Sequence, residues 1–189
     1  MKIKTTRFGE LEIDEGHIIY MPEGLLGFCH CKSFIILEHD VDSPFKWYQS
    51  IDDPSLAFII VDPYLFKPDY RIQISSQEIA PLQALEVEAL VPVAIVSIHP
   101  ELPRPITVNL QGPILINPDN RWARQCVLLR GGYQTRHDLL GEMERALLGP
   151  EGHDGLEEQG KTLKNQRQLV VSANPSRGGE GRGGVMGDG

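Results

Sequence analysis

The stretch Phe45-Lys46-Trp47-Tyr48-Gln49-Ser50-Ile51-Asp52-Asp53-Pro54-Ser55, running into Leu56-Ala57-Phe58-Ile59-Ile60-Val61-Asp62-Pro63, decides how the chain is read. Two runs rich in aromatic and β-branched residues flank an Asp-Asp-Pro-Ser turn, and a second Asp-Pro closes the pair. This is the pattern of two strands joined by a turn. Successive strand residues point to opposite faces, so Trp47 and Tyr48 are expected to lie one inward and one outward. The polar residues of the block are turn-formers and lack the partners that catalysis needs.

Outward from this block, residues 1–140 read as a succession of short strands. Lys2 to Thr6 and Glu10 to Ile13 alternate polar and apolar across Phe8-Gly9, which predicts a hairpin. Ile18 to Met21, Phe34 to Glu38 and Tyr70 to Ile74 follow, then Leu90 to Ile98, Ile106 to Leu110, Ile114 to Asn117 and Ala123 to Leu129. Pro22 to Phe28 reads as a glycine-punctuated loop with exposed apolar residues. Ser75-Ser76-Gln77-Glu78 has the form of a capping box, and Ile79, Leu82 and Leu85 continue at helical spacing. About ten strands with frequent turns predict a mainly β fold, a small antiparallel barrel-like domain with one or two short helices.

The chain has 189 residues and a net charge of −8. All thirteen aromatic residues precede Leu140, whereas twelve of the 19 glycines follow it. The expected organisation is therefore a domain over 1–140, then 141–189 as a short helix and a flexible glycine-rich tail. Leu139, Leu140, Met143, Ala146 and Leu147 share one helical face, with Gly149-Pro150 as the stop. Residues 161–171 carry a weaker apolar pattern that fits a helix, a strand or a short partner-binding segment.

Composition narrows the function. No run approaches the roughly 20 apolar residues of a membrane span, and the N-terminus has no apolar signal core, so a cytoplasmic protein is expected. Three cysteines suit a reducing compartment. The acidic balance argues against direct nucleic-acid binding and favours a basic protein partner. Cys29-His30-Cys31 lacks the spacing and the second pair of a zinc site. Asp52, Asp53 and Asp62 sit where turn chemistry explains them, and no nucleophile elbow or phosphate loop is present. No metal, cofactor or catalytic residue is expected. The residues alone leave a binding module, a small β-barrel enzyme or ligand carrier, and an RNA-binding β module as alternatives.

The ordered set Gly24-Leu25-Leu26-Gly27-Phe28, Phe45-Lys46-Trp47-Tyr48-Gln49-Ser50 with Asp52-Asp53-Pro54, Leu56-Ala57-Phe58, Asp62-Pro63, Pro68-Asp69-Tyr70, Thr107-Val108-Asn109-Leu110, Pro113-Ile114-Leu115-Ile116-Asn117 and Gln125-Cys126-Val127-Leu128 resembles the FliW family of bacterial flagellar assembly factors. The resemblance covers roughly residues 1–140. It implies a non-catalytic β domain that binds flagellin and also CsrA, the RNA-binding repressor of flagellin translation. Occupancy by one partner would release the other, a thermodynamic linkage. Residues that match the family motif and read as exposed are the protein-binding candidates: Gln49, Ser50, Asp53, Asp62, Tyr70 and Asn109. The stretch beyond Gly141 exceeds the usual family length.

Overall fold

The computed structural model describes residues 1–148, except 39 and 41, and residues 169–172. The expected glycine-rich tail lies outside the described residues. Twelve strands are present among those described. They are β1 (Lys2–Thr5), β2 (Gly9–Glu12), β3 (Ile19–Tyr20), β4 (Ser33–Glu38), β5 (Phe45–Ser50), β6 (Ala57–Val61), β7 (Val91–Ile98), β8 (Ile106–Val108), β9 (Ile114–Ile116), β10 (Ala123–Gln125), β11 (His137–Asp138) and β12 (Val170–Ser172). Two helices, α1 (Ser76–Ile79) and α2 (Leu139–Leu148), complete the set with several short 3-10 turns. The fold is mainly β and mainly antiparallel, as the turn-punctuated sequence predicts.

β1 and β2 form the expected hairpin, with Ile3 opposite Leu11. The main sheet runs β10-β9-β7-β6-β5-β4-β12. β7 is its pivot: Val91–Val93 pair with β9, whereas Val96–Ile98 pair with β8. Pro92 is tolerated within this strand because the β6 ladder reaches only Ala94. The far edge turns back toward β3. There Tyr20 and Trp122 form a single isolated bridge, and the Tyr20 amide donates to the Arg121 carbonyl at 2.9 Å. The sheet curls into a barrel-like shape, yet one bridge rather than a ladder spans its seam.

Both faces of the sheet are buried. On one, Phe34, Ile36, Tyr48, Ile60, Val91 and Val93 pack with Ile19, Met21, Leu25 and Ile114. Phe34 and Tyr48 stack with ring centroids 4.5 Å apart and 3° between planes. On the other face, Ile35 and Leu37 meet Ile3, Leu11 and Ile13 of the hairpin. Farther along that face, Val61, Ala94 and Val96 meet Phe66, Tyr70, Leu110 and Leu139. Tyr48 is fully buried, while Trp47 lies half-buried under the hairpin, with Phe8 edge-on at 5.6 Å and the Arg7 guanidinium 4.3 Å from its ring.

The Pro22–Phe28 loop is less exposed than its sequence suggests. Leu25 is buried in the core, and Leu26 alone of the pair faces out. Gly24 has φ +71°, and a Cβ there would lie 2.7 Å from the Phe28 carbonyl oxygen, so the turn requires glycine.

Three expectations are corrected. The capping box forms, with the Ser75 amide donating to Glu78 Oε2 at 2.8 Å, but α1 ends at Ile79. Pro81 has no N–H to continue the α ladder, so the chain tightens to a 3-10 turn over Ala80–Leu82 and exits through Gln83 at φ +58°. Tyr70 to Ile74 is not a strand. The Arg71 amide donates to the Tyr133 hydroxyl at 2.8 Å instead of to a neighbouring strand. On α2, Leu139 is buried and Met143 half-buried, but Leu140 is exposed. Of the 161–171 stretch, Val170 and Val171 belong to a strand, and β12 runs parallel to β4 with Val170 opposite Ile36.

Candidate protein-binding surface

Three of the six candidate residues meet at the β5–β6 turn; Gln49 and Ser50 point inward, while the Asp53 carboxyl stays at the surface. Gln49 is fully buried. Its Nε2 donates to the carbonyls of Ser50 at 2.8 Å and Leu56 at 3.0 Å, and lies 3.4 to 3.5 Å from those of Pro54 and Asp53. Its Oε1 has no hydrogen-bond partner among the described residues. The Ser50 hydroxyl, also buried, accepts from the Asp53 amide at 3.0 Å. Asp53 Oδ1 accepts from the Ser55 hydroxyl at 2.7 Å and its amide at 2.9 Å. These two bonds, led by the hydroxyl, hold the Asp53 carboxyl below its ordinary pKa. Asp52 extends the network, accepting from the Lys32 and Ser33 amides. The Pro54 carbonyl accepts from Thr6, which ties the N-terminal hairpin to the same turn.

The other three serve the same purpose elsewhere. Asp62 is buried at the end of β6, where Oδ1 accepts from the Tyr64 amide at 2.8 Å and caps a 3-10 turn. Tyr70 is fully buried and donates its hydroxyl to the Leu110 carbonyl at 2.7 Å. Burial, then the neighbouring Tyr133 and Tyr64, push its phenol well above the ordinary value. Asn109 is half-buried and its Oδ1 accepts from the Gly112 amide at 2.8 Å. Tyr70 and Asn109 thus come together around Leu110, apart from the β5–β6 turn.

The expectation that these residues are exposed is therefore wrong for Gln49, Ser50, Asp62 and Tyr70. The reason is physical. A turn leaves backbone N–H and C=O groups without ladder partners, and in a buried turn side chains must satisfy them. The polar motif residues are spent on the backbone.

Two surface recesses combine apolar walls with a polar rim, and their sequence signals were weaker. Between the hairpin and the α2 end of the sheet lies a groove of about 310 Å³, lined by Phe45, Trp47, Ile59, Val96, Ile98 and Ile106. Ile98 is 55% exposed there. The strand alternation Ala94, Val96, Ile98 was the available clue, since all three share a face. A second recess of about 620 Å³ lies beside Val127 and Leu129, the latter 87% exposed, with Glu78 and Arg130 at its rim.

Nucleophile and metal chemistry find little purchase. Burial pushes the Cys126 thiol up to about 11, opposite to the shift that activates a thiolate. Cys29 is exposed and Cys31 buried, so the Cys-His-Cys run does not converge. Among the described residues no group of three or more His, Cys, Asp or Glu side chains is placed to hold a metal ion. None of their helices is long and apolar enough to cross a membrane.

The motif residues of this acidic β domain hold its turns, and the domain has relatives among known proteins. The FliW protein family model matches residues 2–139. The flagellar assembly factor FliW of Geotalea uraniireducens is 42% identical over 149 residues, which are 79% of this chain and 90% of the relative. That of Treponema denticola is 42% identical over 146 residues, 77% of this chain and 98% of the relative. A crystal structure of the flagellar assembly factor FliW superposes with TM-score 0.66 at 31% identity, covering 74% of this chain and 96% of the other. The chain belongs to the FliW family.

Proposed function

We propose that this chain is a non-catalytic flagellar assembly factor that acts in the cytoplasm by binding two proteins in turn, flagellin and the translational repressor CsrA. Free flagellin occupies it and leaves CsrA to repress flagellin translation. As flagellin is exported, the chain is released and sequesters CsrA. Family membership across residues 2–139 carries this reading. The net charge of −8 supports it, since an acidic surface steers a basic RNA-binding protein toward it. The groove and recess support it too, because they put exposed apolar area, Ile98 in one and Leu129 in the other, beside a polar rim.

The test is to mix the purified chain with flagellin and with CsrA and follow complex formation by size-exclusion chromatography and calorimetry. A complex with each, with flagellin lowering the apparent affinity for CsrA, is the expected result. No complex with either protein refutes the reading. Ile98→Asp and Leu129→Asp, one on each apolar strip, then report which strip each partner covers. A gel shift with RNA at low salt is expected to be negative, and a positive one would favour direct RNA binding instead.

A further inference from the structure

The C-terminal stretch beyond the shared body returns to the sheet. β12 lies along β4 in parallel, with Val170 opposite Ile36, Val171 opposite Leu37 and Ser172 opposite Glu38. β4 is already paired with β5 on its other side and with β3 only at Phe34 and Ser33. Without β12, the outer edge of β4 from Ile36 to Glu38 is an open strand edge, the kind that accepts a further strand. The pairing has side-chain anchors. Leu169 is fully buried within the main core. Val170 packs on that same core, while Val171 packs on the hairpin core with Ile3 and Leu11. The residual cavity between Leu169, Val170, Ile36, Ile60, Val91 and Val93 is only about 10 Å³, so the segment fills its seat.

This cover is not part of what the family shares. The family match ends at residue 139, and the T. denticola relative is aligned over 98% of its own length by 146 residues of this chain. That leaves the relative only a few residues for any counterpart of 169–172. The body therefore reaches its family size without β12, and this chain supplies its own occupant for an edge that the shared body leaves uncovered.

We propose that the β4 edge, with the apolar seat beneath it, is a strand-binding site plugged in cis by Leu169–Ser172, and that an extended peptide of the same character can displace the plug. The seat defines the ligand class: an extended segment running parallel to β4, with a bulky aliphatic residue where Leu169 sits and β-branched residues at the next two positions. Such a ligand gains main-chain hydrogen bonds from β4 and specificity from the side-chain seats. The covalent tether raises the local concentration of the plug, so an outside strand must exceed it in affinity or abundance.

The test uses the full chain and a fluorescein-labelled peptide of residues 166–173. In anisotropy titrations the L169D chain is expected to bind the peptide saturably and at least tenfold more tightly than the unaltered chain. A peptide carrying the same substitution is expected not to bind. Equal binding by both chains, or none by a folded L169D chain, overturns the proposal. Should L169D fail to fold, hydrogen exchange on the unaltered chain decides. Amides of 170–172 are expected to exchange at least a hundredfold faster than those of β5, and excess peptide to speed them further. Protection equal to that of β5, insensitive to peptide, marks a permanent edge cap and overturns the proposal. So does concentration-dependent dimerisation in place of peptide uptake.

Discussion

β4 has two flanks, and they are built on different principles. On one side β5 pairs with it antiparallel, register Phe34–Ser50 to Leu37–Trp47, and continues through a turn in which Gln49, Ser50 and Asp53 satisfy the backbone from within. On the other side three residues of β12 arrive from a remote part of the chain, parallel, held by the burial of Leu169 and its neighbours. The β5 flank is fixed in part by local polar chemistry, the β12 flank by apolar docking and a three-residue ladder. Burying Leu169 and part of two valines gains about 4 kcal/mol, and the added main-chain bonds about 2 to 3 kcal/mol. Fixing four residues costs about 4 to 8 kcal/mol. The sum is near zero, which is what a detachable element requires.

The sharpest way to break the contrast is Gln49→Ala. It removes the side-chain donor of the Ser50 carbonyl, weakens the bonding at Leu56 and leaves a void in a fully buried position, and a loss of about 2 to 3 kcal/mol in global stability is expected, read as a lower midpoint in urea denaturation. Leu169→Ala probes the opposite flank. A leucine truncated in a fixed core costs about 2 to 5 kcal/mol, but here β12 detaches instead, so the global loss is expected to stay under about 1 kcal/mol. A full-sized loss would show that the two flanks are equally integral. Tyr48→Phe asks whether the β5 flank carries a polar defect. The Tyr48 hydroxyl is buried with no partner among the described residues, and burial drives its phenol well above the ordinary value. Removing it is expected to leave stability unchanged or raise it by up to about 1 kcal/mol. The smallest effect is pH-dependent. Because hydrogen bonds hold Asp53 below its ordinary 3.8, its stabilisation is complete above that value and is lost as pH falls through the lowered one. Asp53→Asn is expected to flatten the acid limb of the stability profile below pH 3.8, measured by thermal melts.

Strand positions were legible because alternation and turn residues are local signals. The β5–β6 block and the N-terminal hairpin come directly from them. What the sequence hid was direction. Gln49, Ser50, Asp62 and Tyr70 look like surface groups because they are polar, yet each is turned inward to serve a backbone group that only the folded turn creates. Pro81 was visible, but its power to stop α1 depended on where the helix began. Ile98 gave a periodic clue to the apolar groove, whereas the recess beside Leu129 joins residues some fifty positions apart and has no local signature. The pairing of β12 with β4 likewise spans more than a hundred residues, so its apolar pattern pointed to an element without naming its partner.

The single bridge at the seam has an optical consequence. Trp122 sits there edge-on to Tyr20, at 5.9 Å between ring centroids, and Trp47 sits under Arg7 and Phe8 at the hairpin. The chain has only these two indoles. Emission from a Trp47→Phe protein therefore reports on the seam and that from a Trp122→Phe protein on the N-terminal hairpin, so unlabelled fluorescence can follow the two regions separately during unfolding.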